Sequence, residues 1–209
     1  MKYKNLIFDV DGTLWDSREI IARGYNSQLA EEGLSHLSVT AEDLKKQFGK
    51  VTSVIADSLF ASIPVPDRYH LLERCMARQT QTLKADPCEV GYAGVKETLA
   101  RLAEDHRLFI VSNSECGYPQ LCIDKLGLNA YIQDHLCHGD TGLSKGKTIR
   151  ILMERNGIPQ EDVIYIGDTQ GDYEATLEAG IPFIWCTFGF GTPDGYAAKV
   201  DQLSELLEL

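Results

Sequence analysis

Short apolar runs that stop abruptly constrain this chain more than any other feature. Residues 6–8, 108–111 and 163–166 each have strand length and each run into a small or polar residue, and a fourth run covers 182–186. Between the later runs lie amphipathic segments of helical period ending at Gly127, Gly157 and Gly180, where a left-handed C-terminal cap is expected. Strands that are apolar on both faces need cover on both faces. The alternation therefore predicts an α/β fold, a parallel sheet in a three-layer, Rossmann-like core, with chemistry collected at the carboxyl ends of the strands.

Residues 15–91 break this pattern. They hold no convincing strand, and helical stretches are expected over 16–32, 40–48, 51–61 and 67–84, separated by Gly33, Gly49 and the Pro-Val-Pro of 64–66. The expected organisation is a core formed by 1–14 and 92–209 with an all-helical domain, 15–91, inserted after the first strand. A chain of 209 residues suits one domain carrying such an insertion. Internal repeats and low-complexity segments are not evident.

Hydrophobic residues make up 44% of the chain and charged residues 24%, the balance of an ordinary globular protein. The 20 basic and 31 acidic residues leave a net charge of −11, which argues against nucleic acid or an anionic membrane as partner. If the substrate is an anion, local cations or a metal must reverse the sign of the field at the site. Cys75, Cys88, Cys116, Cys122, Cys137 and Cys186 form no C-x-x-C pair, so neither a zinc knuckle nor a disulfide framework is indicated, and free thiols in a reducing cytoplasm are expected. The apolar run before Asp9 is too short for a signal peptide, and no run approaches the ~18 residues of a membrane span. A cytoplasmic protein is the expectation.

Two carboxylates interrupt the end of the first run in Asp9-Val10-Asp11-Gly12-Thr13. Residues two apart on an extended chain point to the same side, and Gly12 permits a sharp turn. Taken alone, Asp11 is equally an Asx-turn residue before a glycine. The third run repeats the pattern, passing through Gly167 into Asp168 and, four residues on, Asp172. Two parallel strands ending in aspartate crowd like charges into a low-dielectric crevice, which is costly unless a cation offsets them. Oxygen-only ligands suit magnesium. Capping of the helix that begins near Gly171 is a local alternative for Asp168, but it explains neither Asp9 nor Asp172.

The second run ends at Ser112 and Asn113, whose side chains and backbone N–H groups could bind phosphate oxygens or simply cap the next helix. Lys145 opens the helix leading to Gly157 and supplies the local cation. The Gly146-Lys147-Thr148 triplet is not a P-loop, because Thr141 stands where that motif needs glycine and the preceding segment lacks a strong strand.

In these four motifs the chain resembles the haloacid dehalogenase superfamily, in the phosphoglycolate-phosphatase-like branch with a helical cap. Asp9 to Thr13 matches the D-x-D-G-T box, Val111-Ser112-Asn113 the second motif, Lys145 the third, and Gly167-Asp168 through Asp172 the fourth. The resemblance spans essentially the whole chain. The lysine motif lacks its common Lys-Pro form, and Ala93 replaces the usual proline of the turn that closes the cap.

The resemblance implies a magnesium-dependent phosphatase acting on a small phosphorylated metabolite. It implies Asp9 as the nucleophile that becomes an aspartyl phosphate, Asp11 as acid and then base, and Ser112, Asn113 and Lys145 as phosphate ligands. It places the metal on Asp9, Asp11 and Asp168, with Asp172 close by as a ligand or an orienting partner. Cap closure would exclude water and bring selectivity residues over Asp9. A sugar phosphomutase shares these motifs, a phosphonatase is raised by Lys50, and a non-catalytic phosphometabolite-binding regulator is the reading outside enzymes. Dehalogenation fits poorly with Asp11 and the acidic fourth motif. Arg23, Lys50 and Arg74 are cap cations that could meet a substrate, each more simply read as a surface residue. Oligomeric state is left open.

Overall fold

The computed structural model describes residues 2–209. The sheet begins with β1 (Asn5–Phe8), and four helices follow: α1 (Arg18–Glu31), α2 (Ala41–Lys45), α3 (Thr52–Leu59) and α4 (Asp67–Ala85). The chain continues through α5 (Val95–Leu102), β2 (Arg107–Ser112), α6 (Tyr118–Leu126), β3 (Ile132–Cys137) and the one-turn α7 (His138–Thr141). It ends with α8 (Lys145–Arg155), β4 (Val163–Gly167), α9 (Gln170–Ala179), β5 (Phe183–Cys186) and β6 (Ala198–Val200). Two compact units result, Met1–Asp16 with Val90–Leu209, and Ser17–Glu89.

In the first unit the strands form one six-stranded sheet in the order β3-β2-β1-β4-β5-β6, with every neighbouring pair parallel. This is the doubly wound order, which reverses direction between β1 and β4 and opens a crevice at their carboxyl ends. One face buries Ile7, Phe109, Val111, Val163, Tyr165 and Phe183 against Ile149, Leu152 and Met153 of α8 and Ala175 and Ala179 of α9. The alternate residues Leu6, Phe8, Leu108, Ile110, Ile164 and Ile166 are buried too, as a sheet covered on both faces requires. The close approach of α8 to α9 depends on Gly146, where a Cβ would stand 2.5 Å from Glu178 Oε2 and 2.8 Å from the Ala175 carbonyl oxygen. That packing is what the glycine of the Gly-Lys-Thr triplet serves.

Two strands escaped the sequence reading. β3 carries the sequence Ile-Gln-Asp-His-Leu-Cys and lies at an edge, so only its last two residues are buried and its apolar signal is weak. It lies just before the segment expected to lack a strong strand. β6 is three residues long, too short for its pattern to register. Of the glycines expected to end helices, Gly127 and Gly180 are left-handed C-caps (φ 66° and 77°), and Gly157 (φ 61°) follows the cap residue Asn156.

The second unit is helical throughout its described residues, with α1 paired on α4. Gly24 allows that pairing, since a Cβ there would lie 3.0 Å from Thr82 Oγ1 and 3.2 Å from Gln79 Cα. Leu29, Leu72, Cys75 and Leu83 are fully buried in this unit. Surface ion pairs tie the same helices: Arg74 donates twice to Glu32 at 2.6 Å, and Arg78 pairs with Glu31. Arg23 pairs with Asp86, and Lys50 donates to Gln47 Oε1 at 3.3 Å. The cations singled out in the sequence are thus engaged within their own unit.

Ile149 sits at zero exposure between α8 and the sheet. Ile149→Ala should lower unfolding free energy by ~2–5 kcal/mol, through lost burial and the cavity left behind, as read from the urea midpoint.

Candidate active site

The register of the sheet assembles the site. Phe8 of β1 lies beside Ile166 of β4, so Asp9 falls level with Gly167 and Asp168 follows one residue on, which brings both carboxylates to the point where the strand order reverses. Asp9 N–H donates to the Ile166 carbonyl at 2.8 Å, which continues the pairing one residue past the strand. The chain then turns at Gly12 (φ +87°), a conformation natural only to glycine. A Cβ at Gly12 would stand 2.1 Å from Asp168 Oδ2, and one at Gly189 would stand 2.2 Å from Asp168 Cβ. Two bare glycines make the slot for this carboxylate. Phe190 N–H donates to Asp168 Oδ2 at 2.6 Å, and Thr13 Oγ1 lies 3.5 Å from Oδ1.

Lys145, the first residue of α8, is buried and reaches two of the carboxylates. Its Nζ donates to Asp9 Oδ1 at 2.7 Å and to Asp172 Oδ1 at 2.6 Å. The other Asp172 oxygen accepts from Thr169 N–H at 2.9 Å, Thr169 Oγ1 at 2.7 Å and Asp168 N–H at 3.2 Å. Thr169, rather than Asp168, is the cap residue of α9, and Asp172 completes its capping box. Lys147, two residues on, is exposed. Tyr165 OH donates to the Val111 carbonyl at 2.8 Å, and its ring lies 5.6 Å from the Lys145 ammonium.

One ligand oxygen from each of Asp9, Asp168 and Asp172 falls within 4.8 Å of the others, all in buried residues. Three carboxylates against one ammonium leave a formal charge of −2 among buried side chains. Burial first, with Asp172 and Asp11 adding to it, raises the Asp9 carboxyl from 3.8 to about 7 although Lys145 opposes the shift. Asp168 is raised well above the usual carboxylate value by burial, then by Asp172 and Asp9. Burial would raise Asp172 as well, but Lys145 and Thr169 more than offset it and hold Asp172 low. Burial would likewise lower Lys145, yet Asp172 and Asp9 hold its ammonium charged. The lysine therefore neutralises Asp172. Asp9 and Asp168 are left for a second cation, and a divalent ion with oxygen ligands fits the remaining charge and donor set.

Asp11 differs from its neighbours. A single oxygen, Oδ1, accepts from Trp15 Nε1 at 2.8 Å and from Tyr118 OH at 2.8 Å, while the two aromatic rings meet edge to face with centroids 5.5 Å apart. The two aromatic donors orient this side chain. Ser112 ends β2 in a buried position, its Oγ accepting from Ser114 N–H at 3.3 Å, with half-buried Asn113 beside it. Sequence pattern alone does not single out Trp15, Tyr118, Tyr165 or Thr169 as site residues. Trp15 carries a local signal, four residues after Asp11. Tyr118 and Tyr165 reach the site only through packing.

A doubly wound sheet with three carboxylates at its switch point, only partly balanced by one buried lysine, is an α/β arrangement whose donors fit a divalent cation. The sequence matches the family described as haloacid dehalogenase-like hydrolase over residues 6–186. Similar proteins include the phosphoglycolate phosphatase of Agrobacterium fabrum, 29% identical over 88% of this chain and 80% of that one. That of Photobacterium profundum is 28% identical over 99% and 95%. Among solved structures, a predicted phosphoglycolate phosphatase from Haemophilus somnus superposes with a TM-score of 0.85 at 21% identity, covering 100% of this chain and 98% of that one. A predicted phosphatase from Clostridium acetobutylicum gives 0.79 at 23% identity over the whole of both chains. The chain belongs to the haloacid dehalogenase-like hydrolases.

The raised Asp9 carboxyl sets a pH dependence in protein stripped of divalent ions. Between 3.8 and about 7 the unfolded chain releases this proton while the native state keeps it, so rising pH favours unfolding across that window. Thermal denaturation in chelator should show a fall in midpoint between pH 4 and 7 that is smaller in Asp9→Asn. A divalent cation should shrink the wild-type fall.

Proposed function

We propose that the protein is a magnesium-dependent phosphatase that hydrolyses a small phosphorylated metabolite through an aspartyl phosphate on Asp9. The observation that carries this reading is the buried triad of Asp9, Lys145 and Asp168 at the switch point of the sheet, where one strand end offers a nucleophile and the next a metal ligand. The phosphoglycolate phosphatases among its relatives support the substrate class and make phosphoglycolate the first compound to try.

An Asp9 carboxylate oxygen attacks phosphorus in line with the ester oxygen. The new bond forms as the old P–O bond breaks, and Asp11 gives its proton to the departing oxygen. Trp15 and Tyr118 hold Oδ1 of Asp11 and so orient the carboxyl for proton transfer. Asp11, now ionised, takes a proton from water as that water attacks the phosphorus, and the phosphoryl–aspartate bond breaks to release phosphate. Lys145 lies 2.7 Å from the nucleophile and offsets charge on the transferring oxygens, with Asp172 holding it in place. Ser112 and Asn113 bind those oxygens from the neighbouring strand end. Asp9, Asp168 and Asp11, with Asp172 close by, would hold a magnesium ion, which would supply further positive charge against a chain of net charge −11. The inserted helical unit takes the part of the family's cap, where substrate selectivity is carried.

The test is release of inorganic phosphate from phosphoglycolate, sugar phosphates, nucleoside monophosphates and an aryl phosphate, with magnesium and with chelator. Magnesium-dependent release is expected. Its absence from folded protein that binds magnesium would move the assignment to a mutase or a binding protein. Asp9→Asn should remove turnover with the fold intact, and turnover at the wild-type rate would refute the nucleophile. Asp11→Asn should slow release ~10²–10⁴-fold, the usual contribution of a general acid–base group.

A further inference from the structure

The six cysteines are scattered in the sequence, yet the fold gathers two of them. Cys116 lies in the loop between β2 and α6, Cys137 ends β3, and Asp140 lies in α7. The two sulfurs and one Asp140 oxygen all lie within 4.8 Å of one another. Asp140 Oδ2 accepts from Cys137 N–H at 2.8 Å and from the Cys137 thiol at 3.0 Å. Cys116 lies beside the same carboxylate, which pushes its thiol above the ordinary value.

Capping of the one-turn α7 accounts for Cys137 and Asp140. It leaves Cys116 unexplained. The Cys116 loop is drawn against α7 at Gly139, whose N–H donates to the Ser114 carbonyl at 3.1 Å. A Cβ at Gly139 would stand 2.4 Å from Cys116 N and 3.0 Å from Cys116 Sγ. Only a residue without a side chain lets the two segments meet so closely and bring the second sulfur to the carboxylate.

We propose that Cys116, Cys137 and Asp140 form a binding site for a thiophilic divalent cation of the zinc or cadmium kind, separate from the carboxylate cluster of the active site. Two sulfurs and one carboxylate oxygen are a donor set for such an ion, and magnesium, which prefers oxygen, is disfavoured there. A tetrahedral ion with sulfur ligands at ~2.3 Å holds those sulfurs ~3.8 Å apart. Closing from the present spacing asks for a shift of at most about 1 Å, which exposed Cys116 can supply. Cys116 and Asp140 are exposed and Cys137 is buried, so the ion has a route in and a position open to water. On binding, two S–H bonds break and two metal–sulfur bonds form; the protons go to solvent and nothing is oxidised. The bound ion would tie the loop that follows Ser112 and Asn113 to the end of β3.

Cadmium is the probe. Reduced full-length protein, freed of reductant, is titrated with cadmium while the ultraviolet sulfur-to-cadmium charge-transfer band is followed. One equivalent should saturate the band in the wild type and in Cys88→Ser, which lacks the other exposed cysteine. Cys116→Ser should abolish that first-equivalent band with the circular dichroism unchanged, and Asp140→Asn should weaken binding without removing a thiol. A band unchanged in Cys116→Ser, or absent from folded wild type with all thiols reduced, would overturn the proposal. So would rapid loss of two thiols to a Cys116–Cys137 disulfide in place of cadmium binding.

Discussion

The structure turns on a charge imbalance held out of water. Lys145 lies between Asp9 and Asp172 at 2.7 and 2.6 Å, and Asp168 adds a third buried carboxylate with no ion-pair partner of its own among the described residues. A buried charge without a partner is costly, so a site with two formal negative charges in excess needs a cation before it can accept an anionic substrate. Asp172 shows how the protein apportions this. Its oxygens are occupied by Lys145, by Thr169 and by the backbone, and it remains ionised while Asp9 and Asp168 are pushed towards neutrality.

Such a cluster needs a rigid frame, and the parallel sheet supplies it. β1 and β4 pair residue for residue from Asn5 with Val163 to Phe8 with Ile166, which sets Asp9 level with Gly167 and Asp168 one residue beyond. Glycines finish the placement. Gly12 and Gly189 clear the space filled by Asp168, and Gly167, where a Cβ would stand 2.8 Å from Asp172 Cγ, clears the space for Asp172. The polar groups are held by backbone and packing, which is how a preorganised site avoids reorganising during reaction.

The helical unit follows a different logic. Arg23, Arg74 and Lys50 have partners on the same unit, and its polar surface is stitched by ion pairs between α1 and α4. Exposed pairs of this sort add little stability, so the unit rests chiefly on the buried apolar seam that Gly24 lets close.

The continuous apolar runs at 6–8, 108–111, 163–166 and 182–186, alternating with amphipathic helical segments, point to a parallel sheet covered on both faces. The aspartates at their ends were legible for the same reason: a charge directly after a buried run has few structural excuses. Edge strand β3 was not legible, since a strand covered on one side needs few apolar residues, and β6 is too short to show a period. Trp15 and Tyr118 on Asp11, Tyr165 against Lys145, and the meeting of Cys116 with Cys137 join residues from 4 to 107 positions apart. Local patterning, which registers neighbours within a turn or a strand, thus determined the elements and the identity of the carboxylates. Their charge states and the choice of Lys145 over Lys147 at the carboxylates were decided only by burial and proximity, which exist once the sheet has closed.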